Sequence, residues 1–335
     1  DYAADALYEA GILFYELQEY PQAIAALELL RKTDPAYKNL PSALYRLVYA
    51  DFFDGRIDDA MACVEILKKN YPQTEVAPGA LFWQVDFLRN SGKLNEAAKV
   101  LDEMETLYKE NRNIYGRILI DRAVLLEMQG KYKEALTVLD DFYTRFVQDP
   151  RMGEALFLGG DIASKSGDYA RAALLYARCE QWRPDSELAR AARGRVADCN
   201  FSLYGKTGDT ANLKTAFDTY SKLLTDDKLA PDMYSQTLYK LAVCEERMYQ
   251  EEQALEHFNE GIFRYKLALK RGLKPDPVWA VKAGYAATRI LIRRNTPEDA
   301  AAALKIFDLL KELKLETVPE EFSGTILGLK AKYKL

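Results

Sequence analysis

The chain has 335 residues, of which 49% are apolar and 29% charged, with 18 Gly and 12 Pro, so collagen-like, disordered and low-complexity classes are excluded. One histidine, His257, and four scattered cysteines leave almost nothing from which to build a His-based triad or a Cys/His metal site, so catalysis is disfavoured and no cofactor is expected. A net charge of −5 argues against a general nucleic-acid binder, because such affinity rests on neutralising phosphates.

Length alone suggests two domains at ~100–200 residues each. Periodicity overrules that count. Four Gly-centred turns, at Gly55, Gly92, Gly130 and Gly167, recur every 37 or 38 residues, each followed five positions later by an alanine: Ala60, Ala97, Ala135 and Ala172. The same alanine stands upstream at Ala23, after the Gly-less turn Glu19-Tyr20-Pro21, and downstream at Ala216, Ala254 and Ala303. Seven to eight units of two helices are predicted, at roughly 4–37, 41–74, 78–111, 116–150, 153–186, 189–228, 235–271 and 278–315.

The residues around these anchors resemble the tetratricopeptide repeat. Unit one reads Leu7-x2-Ala10-Gly11-x2-Phe14, then Ala23-x3-Leu27, then Pro35; unit five reads Leu156-x2-Gly159-Gly160-x2-Ala163, then Ala172-x3-Tyr176, then Pro184. The leading Trp of the family pattern is replaced throughout, and Val48 and Val85 stand at the small first-helix position of units two and three. The resemblance implies an all-α, right-handed superhelical solenoid spanning 1–335 as one domain. Small first-helix residues such as Gly11, Ala123, Gly160 and Ala242 let paired helices approach closely, and stacking supplies each pair with the neighbours it needs.

Two units are irregular. The spacing from Ala172 to Ala216 exceeds the period, and Tyr204 through Thr210 predicts an enlarged turn inside that unit. Between Ala254 and Ala303 the excess falls on a long helix to about Arg271, a break at Pro275-Asp276-Pro277 and a helix ending near Arg294, with a new start at Asn295-Thr296-Pro297-Glu298. After Thr317-Val318-Pro319 a last helix over 319–333, carrying Phe322, Ile326, Leu327 and Leu329, is suited to cap the stack. No apolar run reaches the ~20 residues of a membrane span, so no transmembrane segment is expected. Asp rather than Met at position 1 suggests that a preceding segment has been removed.

In the family the first helices line the concave surface. The positions next to the small anchors collect Tyr8, Tyr15, Tyr45, Tyr49, Phe52, Phe82 and Phe157 there, with Asp86, Arg89, Glu127 and Asp161 among them. Tyrosine offers contact area with few rotors and a polar tip, which suits an extended peptide or a partner helix. The competing role is ring packing between adjacent first helices. A clamp for a chaperone C-terminal carboxylate is not supported, since Tyr8, Ile12, Tyr45 and Tyr49 stand where that clamp needs Lys and Asn.

The resemblance thus implies a non-catalytic scaffold for a protein or peptide partner, with homo-oligomerisation as a further option. The alternative is a ligand component, its rings stacking on a glycan or apolar small molecule for an envelope transport or cell-wall system. The junctions Asn70-Tyr71-Pro72-Gln73-Thr74 through Leu81 and Arg183-Pro184-Asp185-Ser186 through Ala192 are similar to linkers of bacterial envelope repeat proteins, the outer-membrane assembly lipoproteins and Tol–Pal-associated factors. A periplasm-facing location is the expectation they carry, with a cytoplasmic one as alternative. Residues 262–335 hold 15 Lys plus Arg against 8 Asp plus Glu, read either as a steering field or as a solvated helix face. Cys63, Cys179, Cys199 and Cys244 match no metal spacing and are expected in the core, Cys179 and Cys199 being the pair that successive helices could bring together. His257, among Glu256, Asn259 and Glu260, is expected on the solvent side.

Overall fold

Six of the eight turns inside the helix pairs share one backbone solution, which sets the pairing of their helices. In the computed structural model, which describes residues 2–312 and 320–333 (several side chains of the last helix excepted), Gly55, Gly92, Gly130 and Gly167 all have φ between 74° and 81°. The following amide bonds back five residues, as Arg56 N–H does to Asp51 O at 2.7 Å and Lys93 N–H to Leu88 O at 2.8 Å. Two turns without glycine do the same. Gln18 and Tyr249, each at φ 62°, hold the left-handed position, and Glu19 and Gln250 make the return bonds to Phe14 and Glu245. A side chain in this region costs ~1–2 kcal/mol, and Tyr249 is 93% exposed with no packing to offset the cost. Tyr249→Gly should therefore raise stability by ~0.5–1 kcal/mol in urea titrations, and a decrease would show that the exposed ring stabilises the turn.

The helices form antiparallel pairs in two compact units, Asp1–Asp149 and Pro150–Leu335. The first unit holds α1 (Tyr2–Glu16) with α2 (Tyr20–Thr33), α3 (Leu40–Phe53) with α4 (Ile57–Asn70), α5 (Ala77–Asn90) with α6 (Leu94–Tyr108), and α7 (Arg112–Met128) with α8 (Tyr132–Arg145). The second holds α9 (Met152–Lys165) with α10 (Tyr169–Trp182), α11 (Glu187–Thr207) with α12 (Thr210–Leu224), α13 (Pro231–Arg247) with α14 (Glu251–Lys270), α15 (Val278–Arg294) with α16 (Pro297–Glu312), and α17 (Glu320–Tyr333). No strand occurs among the described residues.

Close approach within a pair is set by the small first-helix residue and the side chain four positions after the alanine anchor. A Cβ on Gly160 would lie 2.5 Å from Cε1 of Tyr176, and one on Gly11 would overlap Leu27 in the same way. All eight anchors, Ala23, Ala60, Ala97, Ala135, Ala172, Ala216, Ala254 and Ala303, are buried without residual exposure. Their register is the one the sequence predicts.

Around Gly205 the structure departs from the sequence reading. The enlarged turn expected at 204–210 is helix: α11 runs on to Thr207, and only Gly208 and Asp209 turn the chain. Gly208 takes φ 72° with its N–H on Tyr204 O at 2.8 Å, while the Asp209 carboxylate caps α12 by accepting from Ala211 N–H at 2.9 Å. Phe201 and Tyr204 on the added turn pack against the Leu213, Ala216 and Tyr220 core, which outweighs the poor helix propensity of Gly205. The long α14, the end of α15 at Arg294 and the Thr296-capped start of α16 follow the sequence reading. So does α17, whose Ile326 packs on Ala300, Leu304 and Phe307. Thr317, Val318, Pro319 and the side chains of Phe322, Leu327 and Leu329 lie outside the described residues.

All four cysteines are buried free thiols, and the Cys179–Cys199 pair is not bridged. Burial pushes Cys63, Cys199 and Cys244 up to about 12 and Cys179 up to about 11, so they pack as protonated, unreactive groups. His257 is not a free solvent-side imidazole. Its Nδ1 lies 2.8 Å from Oε2 of Glu245, a carboxylate 3% exposed at the end of α13, and the hydrogen bond to Glu245 raises the imidazole pKa against the opposing effect of burial. A buried carboxylate is costly without such a partner.

Candidate functional site: an aromatic face on the first helices

In the first unit α3 carries Tyr45, Tyr49 and Phe52 at helical spacing on one face, half-buried against α5. Tyr45 and Tyr49 meet edge to face at 5.2 Å with their hydroxyls 3.3 Å apart; Tyr49 lies 6.3 Å and Phe52 5.6 Å from Trp83. Trp83 stacks on Phe87 at 5.7 Å, and Phe87 closes on Phe52 at 6.1 Å. In the other direction Phe52 touches Phe53 at 5.4 Å, Phe53 stacks on Tyr20 at 5.1 Å, and Tyr20 meets Tyr15 at 5.9 Å. The rings form a continuous ladder from the α1–α2 turn across α3 to α5, with the guanidinium of Arg46 5.2 Å from the Tyr15 ring.

Tyr8 stands at one edge, 5.6 Å from Tyr37, whose hydroxyl donates to Asp5 at 2.8 Å. Phe82 is 5% exposed beneath Arg117, whose guanidinium sits 3.8 Å from the ring centroid. It supports a cation rather than presenting its ring. Arg117 also joins Asp86 and Arg89 into an alternating square with Asp121. The separations are 2.7 Å for Asp86–Arg89, 3.8 Å for Asp86–Arg117, 3.4 Å for Arg117–Asp121 and 3.9 Å for Arg89–Asp121. Burial holds Asp121 above its ordinary value, opposed by Arg117. Two cations and two carboxylates neutralise one another beside the ladder.

Phe157 and Asp161 belong to the second unit. Phe157 lies 5.3 Å from Tyr176, and the Tyr176 hydroxyl donates to Asp161. The next pair repeats the device, with Tyr220 donating to Asp198 at 2.5 Å. A Tyr in place of Leu or Phe four residues after the anchor, together with an Asp directly after the small residue (Gly160-Asp161, Ala197-Asp198), is the sequence signal for both. Sequence reasoning also missed Tyr20, Phe53, Trp83, Phe87, Arg117 and Asp121. Tyr20 and Phe53 sit at helix ends, and Trp83 and Phe87 lie one position beyond the residues chosen.

Beneath the ladder, Asp51 of α3 is 1% exposed and neither carboxylate oxygen has a hydrogen-bond partner, although Arg56 Nε lies 3.4 Å away. Burial raises its pKa to about 6, opposed by Arg56. A carboxyl whose folded pKa exceeds its unfolded value takes up protons on folding, so the contribution of Asp51 to stability is most favourable below about 4 and is lost as pH rises through about 6. Asp51→Asn should raise stability at pH ~7.5 by ~1–3 kcal/mol and flatten that pH dependence in urea titrations. A loss at neutral pH would mean that the Arg56 attraction prevails.

Tetratricopeptide repeat family models match residues 5–36 and 120–189. No curated protein sequence matches the chain. Among solved structures, the C-terminal part of a tetratricopeptide-repeat protein from Cytophaga hutchinsonii is similar over 76% of this chain and 94% of that one, at 13% identity and a TM-score of 0.57. A tetratricopeptide-repeat protein from Parabacteroides merdae is similar over 84% of this chain and 99% of that one, at 15% identity and a TM-score of 0.48. The Cytophaga likeness is one of fold. The two matched segments are tetratricopeptide repeats, and the same alanine register and antiparallel helix pairing continue beyond them through the described residues.

Proposed function

We propose that the chain is a non-catalytic interaction scaffold whose first unit receives an extended peptide or partner helix on the Tyr45–Tyr49–Phe52 face. Tetratricopeptide proteins are protein-interaction scaffolds, and the observation that carries the reading here is the ring ladder. Its α3 members are only partly buried, so part of their ring surface remains exposed for a ligand to cover. Aromatic groups of this kind dominate interface energetics. The balanced Asp86, Arg89, Arg117 and Asp121 square frames the face with polar groups, in the manner of an interface rim. Service in a bacterial envelope assembly is part of the proposal and rests on the junction sequences at 70–81 and 183–192. The test is affinity capture from the native source with wild-type protein and with the Tyr45→Ala, Phe52→Ala double variant. A protein retained by wild type and lost by a folded variant supports the reading, and an identical retained set defeats it.

A further inference from the structure

Counted from the small residue of a first helix, four positions form its stacking face: eight and five before that residue, one before it and two after. In α3 they are Leu40, Ala43, Leu47 and Ala50, all buried where α3 packs on α2. In α11, which packs on α10, Ala189, Ala192 and Cys199 are buried at the same positions and Val196 is partly so. The equivalents in α1 are Ala3, Ala6, Ala10 and Leu13. There Ala3 and Ala6 are exposed, Ala10 is partly buried and Leu13 is 57% exposed. Leu17, one turn on, is 59% exposed and continues the stripe at helical spacing.

The repeat itself states what fits this face. Elsewhere an amphipathic second helix covers it, running antiparallel, and alanines along the stripe admit a helix axis at ~8–10 Å. Two of those covering helices, α2 on α3 and α4 on α5, end in Arg31-Lys32 and Lys68-Lys69. Packed the same way on α1, such a basic end would lie beside the first turns, where Asp5 and Glu9 are exposed, Asp5 also accepting from Tyr37. Residues 1–30 hold six Asp plus Glu and no Lys or Arg. This charge selects the occupant. A second copy would bring acid to acid across a two-fold axis, and an anionic bilayer would be repelled. We propose that the stacking face of α1 docks an amphipathic helix of a partner protein, its leucine stripe on Ala6, Ala10, Leu13 and Leu17 and its basic C-terminal turn on Asp5 and Glu9. The bound helix adds to the stack of pairs instead of lying on the ring ladder. No ladder residue takes part, so this assignment and the scaffold reading fail separately.

The test is fluorescence anisotropy of a labelled synthetic peptide of about 18 residues, long enough to hold a helix, made of Ala, Gln and Leu with its leucines on one stripe and two Lys in its last turn. It should bind. A peptide of the same composition with its leucines dispersed around the helix should not, and Glu in place of the two Lys should weaken binding ~5-fold or more. Leu13→Ser and Leu17→Ser should each weaken it ~3–10-fold with thermal unfolding unchanged, since both side chains are exposed in the free protein. Glu9→Gln should weaken it ~2–5-fold, the range of exposed ion pairs. Leu174→Ser, an equally exposed change on α10, should leave affinity as it is. Equal binding of the striped and dispersed peptides, or wild-type affinity in both leucine variants, overturns the assignment. So does a dimer in sedimentation that Leu13→Ser dissociates, since the occupant would then be a second copy. If the Tyr45→Ala, Phe52→Ala double variant loses the probe while the leucine variants keep it, the helix sits on the ladder; the scaffold reading then stands and this one falls.

Discussion

Leucine at Ala172 or at Gly160 is expected to lower unfolding stability by at least ~2–3 kcal/mol, read as a fall in the urea midpoint with the slope unchanged. Ala172 has no exposure, and four residues later Tyr176, itself 1% exposed, occupies the space a side chain on Gly160 would need. The ring cannot yield, because its hydroxyl is bonded to Asp161 and its edge meets Phe157 at 5.3 Å. The added volume must therefore separate α9 from α10. Gly205→Ala supplies the opposite sign. That residue lies within α11 and its Cβ would meet nothing within 4 Å, so the methyl should stabilise by up to ~1 kcal/mol through helix propensity alone. Two leucine variants as stable as wild type would show that these positions are not the close contact.

The same contrast explains what the sequence could convey. Ala172 and Gly160 were legible because a close helix contact admits few residue types, and five positions from a turn glycine to an alanine repeat that constraint along the chain. The left-handed turn residues Gln18 and Tyr249 were not, since the turn's bond five residues back is made by backbone atoms and leaves no required side chain. Gly205 read as loop because propensity is local, whereas the Phe201 and Tyr204 packing that keeps it helical is tertiary. The aromatic face was legible as a face but not in its rotation. Choosing the neighbours of Val85 selected Phe82 and Asp86 and passed over Trp83 and Phe87, each one residue on and so about 100° further around the helix. Lys240 with Asp198, and His257 with Glu245, are partners on different helices, so no spacing along one helix announces them.

Truncating the ladder should separate support from contact. Trp83 is 8% exposed and holds Tyr49, Phe52 and Phe87 at once, so Trp83→Ala should cost ~3–5 kcal/mol of stability, as core aromatics do. Tyr45 and Phe52 are only partly buried. Their replacement by Ala should cost less in folding, ~0.5–1.5 kcal/mol for the lost ring pairing plus part of the burial, while weakening a bound partner by ~1 kcal/mol or more each. The two readouts must therefore be ranked in opposite order, with stability most sensitive to Trp83 and affinity, measured on the folded fraction, most sensitive to Tyr45 and Phe52. Thermal unfolding and titration with the protein returned by capture would decide it. If Tyr45→Ala destabilises as much as Trp83→Ala and the folded fraction binds as wild type does, the rings are packing between α3 and α5 and nothing more. The interaction face must then be sought away from this ladder, and the scaffold reading loses the observation that carries it.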